Sequence, residues 1–300
     1  MGNTSYNFES RSVRAASSGY HTKSADDIFI QNKKAMIHES MEPSKALIRE
    51  ARDSEEHPNS LPIIIGLDET GSMRKIPHEL VKDGLPNMVG DLVQKGVADP
   101  AILFLGIGDH EYDRAPLQVG QFESGDEELD LWLTRTYLEG RGGGNAGESY
   151  HLAWYYAAKH TVTDAFEKRN EKGFLFTIGD EPCLKSLPKN AIDELMGNGA
   201  QASYTDKELL EMAQEKYEVF HVHVMEGANG HYSLGYWTDL LGQRCIQVDD
   251  YTKVGKVIAE TIVSHVENRV SHTPVSPVMS DKDGNDDKSD LSSAKEEIIL

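Results

Sequence analysis

Residues 61–68 read Leu-Pro-Ile-Ile-Ile-Gly-Leu-Asp, an unbroken apolar run that stops on a carboxylate. This run constrains the fold more than any other feature of the chain. Three consecutive isoleucines do not alternate with polar residues, so no face of such a strand is left for water. That pattern belongs to a strand buried on both sides, as in a parallel sheet covered by helices. The run then gives way to Asp68, Thr70 and Ser72. Parallel sheets of this kind present functional groups beyond the carboxyl ends of their strands. Three oxygen side chains at alternate positions of a tight loop can converge on one point. A hard cation such as Mg²⁺ takes oxygen ligands and keeps several waters.

The rest of the chain alternates in the same way. Strands are expected at Ala101–Ile107, 173–178, 217–225 and 244–248, with a short antiparallel edge strand at 117–122. Helices are expected at 76–94, 127–137 and 149–166, and from Thr205 to Lys216, where Thr205 and Glu208 form a capping box. In the first of these, Val81, Leu85, Met88 and Leu92 share one face, and Gly84 and Pro86 weaken or kink it. A final amphipathic helix carries Val254, Ile258, Ile262 and Val266. The expected fold is therefore α/β, a doubly wound, mainly parallel sheet with helices on both faces.

Around this domain, taken as residues 58–268, lie two extensions. Residues 1–57 form an N-terminal extension that is partly disordered, its first 24 residues lacking a fold alone. Within it, Ile28, Ile30, Met36, Ile37, Leu47 and Ile48 are expected to brace the domain, and Pro43 to break the helical segment. Residues 269–300 read as a solvated acidic tail. Its Asp281–Asp287 stretch places Gly284 fourth, where a calcium loop needs glycine sixth.

The formal net charge is -20, from 50 acidic and 30 basic residues. That balance disfavours nucleic acid and anionic membranes. Cys183 and Cys245 imply no disulfide framework. The N-terminus has no basic segment followed by an apolar one, and no run approaches about 20 apolar residues. A cytoplasmic protein, or one inside a bacterial or phage assembly, is the expectation.

Asp68-Glu-Thr70-Gly-Ser72 resembles the metal-ion-dependent adhesion site of von Willebrand factor type A domains. Two further pieces stand in that family's order. Gly142-Gly-Gly-Asn145-Ala-Gly-Glu148-Ser149 is similar to its second metal loop, and Gly179-Asp180-Glu181-Pro182 to its third. Asn145 departs from the threonine or aspartate usual there, with Glu148 and Ser149 as alternative ligands. The resemblance implies a Mg²⁺ (or Mn²⁺ or Ca²⁺) site built by Asp68, Thr70, Ser72, Asn145 and Asp180. It implies a binding module rather than an enzyme, with a partner protein supplying an Asp or Glu to the metal. Two carboxylates beside one pocket repel without a cation, which favours the same site.

Other features have plainer readings. Gly142, Gly144 and Gly147 match the spacing of a dinucleotide fingerprint but lack the preceding strand it requires. Asp109, His110, Glu111 and Asp113 read as a solvated loop, or else as a rim of the site or a second cation site. His221 and His223 share a strand face and are expected in the core, with Trp132, Trp154, Tyr155 and Tyr156. One enzymatic alternative exists. The Asp68 motif also resembles that of haloacid-dehalogenase-like phosphotransferases, in which Asp68 would be the nucleophile. A third reading is a structural component of a larger assembly.

Overall fold

The computed structural model describes residues 4–140, 144–197 and 199–272. The acidic tail beyond His272 and the glycines 142 and 143 lie outside the described residues. The core is a six-stranded sheet: β1 (Leu61–Asp68), β2 (Pro100–Ile107), β3 (Leu117–Val119), β4 (Gly173–Gly179), β5 (Tyr217–Val224) and β6 (Cys245–Val248). Their order is β6-β5-β4-β1-β2-β3, all parallel except the β3 edge. The doubly wound α/β expectation holds.

Strand periodicity sorts the side chains into two apolar layers. Ile63, Ile65 and Leu67 of β1, with Phe174, Phe176 and Ile178 of β4, enter one cluster; Ile64 and Leu175 enter the other. The first layer is closed by α1 (Leu85–Gln94), α2 (Asp126–Thr134) and the last helix, Val254–His272. The second is closed by Tyr150–His160, Lys189–Met196, Asp206–Lys216 and Gly230–Leu241. β1 is central because its Ile-Ile-Ile run can pay into both layers at once.

Several helices differ from expectation. The segment 76–94 is not one helix: Ile76–Glu79 passes through a wide turn at Leu80–Gly84 before α1. Pro86 has no N–H to bond the carbonyl of Lys82. That carbonyl accepts instead from the Arg11 guanidinium, and the Pro86 carbonyl accepts from the Tyr6 hydroxyl at 2.7 Å. Arg11 sits on the helix Phe8–Ser17, which packs on α2 through an Arg14–Asp126 ion pair. The stretch 149–166 is interrupted by Thr161–Thr163, which pairs in parallel with Arg49–Ala51, and Thr163 then caps Asp164–Arg169. β-branched residues favour that extended break. In the N-terminal brace, Ile28 is buried but Ile30, Met36, Leu47 and Ile48 are exposed; Phe29, Met41 and Ala46 take the interior places. Trp132 is only half-buried, flanked by the guanidinium groups of Arg49 and Arg135, whereas Trp154, Tyr155 and Tyr156 are core residues.

Candidate functional site

The chain winds outward through β2 and β3 on one side of β1, then returns to β4, β5 and β6 on the other. The direction of winding therefore switches between β1 and β4. A crevice opens at such a switch, because the loops leaving the two strands part in opposite directions. Asp68 ends β1 and Asp180 directly follows β4, so both carboxylates stand at that crevice, and both are fully buried.

Asp68 Oδ1 accepts from the Thr70 amide at 2.9 Å and the Thr70 hydroxyl at 2.6 Å. The Thr70 and Ser72 hydroxyls lie 3.2 Å apart, and Ser72 donates to Asp180 Oδ1 at 2.6 Å. Asp68, Thr70, Ser72 and Asp180 are thus brought together as one chain of oxygens. The loop closes through a tight turn at Gly71–Met73, after which Arg74 takes φ +55°, a conformation costly for a side-chain-bearing residue. On the far side, Asp180 Oδ2 accepts from the Asn229 amide at 2.9 Å. Two glycines make room for this convergence: a Cβ on Gly179 would fall 2.8 Å from Asp68 Oδ2 and collide with the Tyr150 hydroxyl, and one on Gly227 would collide with Asp180.

The second loop contributes differently. The Asn145 side-chain amide donates to Glu111 Oε2 at 3.0 Å and interacts with Asp109. Ser149 is engaged by the amide and ring of His110, at 2.9 and 2.7 Å. Glu148 is the residue directed inward. Its backbone is bridged to the segment after β4, by Glu148 N to Pro182 O at 2.9 Å and Leu184 N to Glu148 O at 3.0 Å. Its side chain is buried, and Oε2 has no hydrogen-bond partner. Next to it, Tyr150 donates to Asp68 Oδ2 at 2.6 Å.

The loop after β2 is solvated in part: Glu111, Tyr112 and Arg114 are exposed, while Asp109 turns inward. Asp109 is buried, its amide donates to Asp113 Oδ2 at 2.7 Å, and its Oδ1 accepts from the Glu111 amide at 2.9 Å. Asp109 and Asp113 fold back on the loop's own backbone, whereas Glu111 accepts from Asn145. His221 and His223 are fully buried in β5, as expected of core residues. They link Thr177 to the Gly230 carbonyl by contacts of 2.8, 3.3 and 2.7 Å, and His221 stacks on Trp237 at 3.5 Å.

The electrostatics are one-sided. Burial raises the Asp68 carboxyl above its ordinary range, and repulsion from Asp180 adds to it. Burial raises Glu148 far more, followed by repulsion from Asp68 and Asp113. Asp113 is pushed up to about 6, chiefly by burial, and Glu181 is raised by burial and then by Asp180. Glu69, whose Oε2 accepts from Gln118 Nε2 at 2.5 Å, is held well above the carboxylate range by burial and then by Asp68. No lysine or arginine is among the main influences on any of these groups.

The donor set suits a hard cation: carboxylates and hydroxyls only, raised acids that a positive charge would relieve, and one buried carboxylate oxygen without a partner. Among the described residues, no group of three or more His, Cys, Asp or Glu side chains is placed to hold a metal ion alone. A cation here would rely on Thr70, Ser72 and water beside the acids.

The fold and crevice define a class: a doubly wound α/β domain with an acidic, hydroxyl-lined cleft at its switch point. No family model matches the chain, and no curated protein matches its sequence. Solved structures are similar in shape. The pilus adhesin SpaC from Lactobacillus rhamnosus GG, in an open conformation, is 10% identical, with 72% of this chain and 31% of the adhesin covered and a TM-score of 0.49. A second structure of that adhesin is 9% identical, with 72% and 32% covered and a TM-score of 0.50. Proximal thread matrix protein 1 from the mussel byssus is 9% identical, with 71% and 49% covered and a TM-score of 0.45. The chain spans about a third of the adhesin's length. For the adhesin structure with a TM-score of 0.50, at 9% identity, the likeness is one of fold alone. Among the described residues, no helix is long and apolar enough to cross a membrane.

Proposed function

We propose that this chain is a von Willebrand factor type A-like module that binds a protein partner through a divalent cation at the switch-point crevice. The observation that carries the reading is the 2.6 Å hydrogen bond from Ser72 to Asp180, which joins two loops 108 residues apart in a cluster of oxygens. Asp68, Thr70, Ser72 and Asp180 would hold Mg²⁺, Mn²⁺ or Ca²⁺, with Glu148 behind them. When bound, the cation supplies positive charge that attracts a carboxylate of the partner. The residues of the chain supply the rest: Tyr150 and Thr70 orient Asp68, and Asn229 fixes Asp180. An adaptor or a component of a larger assembly uses such chemistry; turnover is not part of it.

Phosphotransfer on Asp68 is the weaker alternative. Hydrolases of that type usually carry a second aspartate two residues on, whereas that position here is Thr70, which donates to Asp68 at 2.6 Å. Calorimetric titration with Mg²⁺ and Mn²⁺ tests the proposal. Binding by the wild type and none by a folded Asp68→Ala variant is expected. A pull-down should lose the partner when chelator is added. Equal metal affinity in wild type and variant removes the reading.

A further inference from the structure

A groove of about 320 Å³ opens beside the crevice, between the second loop and the helix Gly230–Leu241. Asn145, Ala146, Glu181, Pro182, Asn229 and Tyr232 line it. We propose that this groove receives an arginine or lysine side chain of the partner protein, alongside the carboxylate that meets the metal. The inference rests on the metal-dependent reading above and adds the second anchor of the same contact.

Two walls of the groove argue for a cationic occupant. Glu181 forms one. Its backbone carbonyl is fixed by the Trp237 indole N–H at 2.8 Å, and its Oε1 accepts from the Asn229 side-chain Nδ2 at 2.7 Å. Its side-chain partners, Asn229 and Ser72, are both neutral, so its charge is not paired by any cation among the described residues. Tyr232 forms the other wall. It is 89% exposed, the most exposed large apolar side chain described. Tyrosine in such a position is characteristic of interface anchors. A guanidinium between a carboxylate and an aromatic face gains both a charge-assisted hydrogen bond and a cation–π contact. Anionic occupants are disfavoured, since Asp180, Glu148 and Asp109 stand close behind Glu181 and shape its electrostatics. An aliphatic occupant would desolvate Glu181 without supplying a partner for its charge.

The test is a backbone-amide NMR titration of the full Mg²⁺-loaded chain with N-acetyl-arginine amide, and separately with N-acetyl-leucine amide. The arginine probe should shift the amides of Ala146, Asn229 and Tyr232 with a dissociation constant on the order of millimolar. Glu181→Gln should abolish the shifts, and Tyr232→Ala should weaken binding at least about threefold. Both substitutions lie at the groove surface, and their folded state is checked by the remaining spectrum. No shift with arginine, or equal shifts with leucine, overturns the inference. Mn²⁺ calorimetry on the same samples separates the two claims. Metal binding without arginine binding ends the groove proposal alone. Arginine binding in a protein without metal affinity ends the metal reading and leaves the groove.

Discussion

Tyr150 donates a 2.6 Å hydrogen bond to Asp68 Oδ2, joining the first turn of a buried helix to the end of the central strand. The contact settles which way the buried carboxylate faces, since Thr70 holds its other oxygen. Tyr150→Phe keeps the ring, which packs edge-on against Trp237 and His221, and removes only the donor. Leaving a buried carboxylate oxygen short of a partner costs about 1–3 kcal/mol. The expected result is a melting temperature lower by several degrees, at roughly 2–4 °C per kcal/mol for a chain of this size. An unchanged melting temperature would mean that water replaces the hydroxyl.

The raised Asp68 carboxyl has a consequence for pH. Its folded-state value lies above the ordinary 3.8, with burial as the first cause and Asp180 as the second. A group raised on folding contributes stability that is fully present below its unfolded value and lost as pH rises through its folded value. In chelator, Asp68→Asn should therefore gain stability relative to wild type as pH is raised from 4 to 8, read as a widening difference in denaturation midpoint. Added Mg²⁺ should close part of that gap in the wild type only. His221 and His223 act in the opposite sense. Burial lowers both below their ordinary 6.5, so the unfolded chain takes up their protons first as pH falls below that value, and stability declines. Comparing variant with wild type at each pH separates the two trends.

Gly179 is required by the site rather than by the strand. A Cβ there meets the Tyr150 hydroxyl and Asp68 Oδ2, neither of which can retreat without losing its hydrogen bond. Gly179→Ala should cost on the order of 1–3 kcal/mol, as overpacking in a well-filled interior does. Gly235 is the control. It lies exposed within a helix, with nothing within 4 Å of an added Cβ, and Gly235→Ala should stabilise by about 0.5–1 kcal/mol. Thermal melts of the two variants should move in opposite directions.

The strands were legible because each is short, apolar and bounded by turn residues, and β1 most of all, with three isoleucines feeding both layers. Asp68 and Asp180 could be placed on one edge because both follow such strands. The helix Gly230–Leu241 was not foreseen: two glycines and scattered aromatics hide its face, and Trp237 is its only fully buried large residue. The segment 149–166 read as continuous because nothing local marks Thr161 as a strand; its pairing with Arg49 spans more than a hundred residues of sequence. Glu148 stands among the second-loop alternatives in the sequence, but nothing local selects it over Asn145 or Ser149. Its inward turn depends on backbone bonds to Pro182 and Leu184, while Asn145, nearer in type to a ligand, is drawn to Glu111. Spacing in one loop cannot express contacts made by another.

The N-terminal helix is predicted to stabilise the domain chiefly through Arg11, with Arg14 adding its ion pair to Asp126. Arg11 is buried, gives its guanidinium to the Lys82 carbonyl that Pro86 leaves free, and lies 3.8 Å from Asp130. Arg11→Ala strips partners from a backbone carbonyl and from a buried carboxylate together. Loss of one partner of a buried charged pair costs about 3–5 kcal/mol. A chemical denaturation midpoint shifted to clearly lower denaturant is expected, with an unchanged slope. Ser12→Ala, on the exposed side of the same helix, should have almost no effect. If Arg11→Ala behaves like Ser12→Ala, the helix is bound through its apolar contacts and the free carbonyl finds water.

The last prediction separates the two second-loop candidates for the cation. Glu148 is buried with Oε2 unpartnered, and burial followed by Asp68 drives its carboxyl toward the protonated form. A cation arriving beside it would ionise it and release the proton to buffer. Mg²⁺ titrations of wild type in buffers of different ionisation enthalpy should therefore give different apparent heats. Glu148→Gln keeps the shape, loses the charge, and should both weaken Mg²⁺ binding and reduce that buffer dependence. Asn145→Ala removes an amide already occupied by Glu111 and should leave the Mg²⁺ affinity within about twofold. The reverse outcome, with Asn145→Ala weak and Glu148→Gln normal, would mean that the loop rearranges when metal binds and that Asn145 supplies the ligand. If neither substitution changes the affinity, the second loop contributes no ligand, and the cation is held by Asp68, Thr70, Ser72 and Asp180 alone.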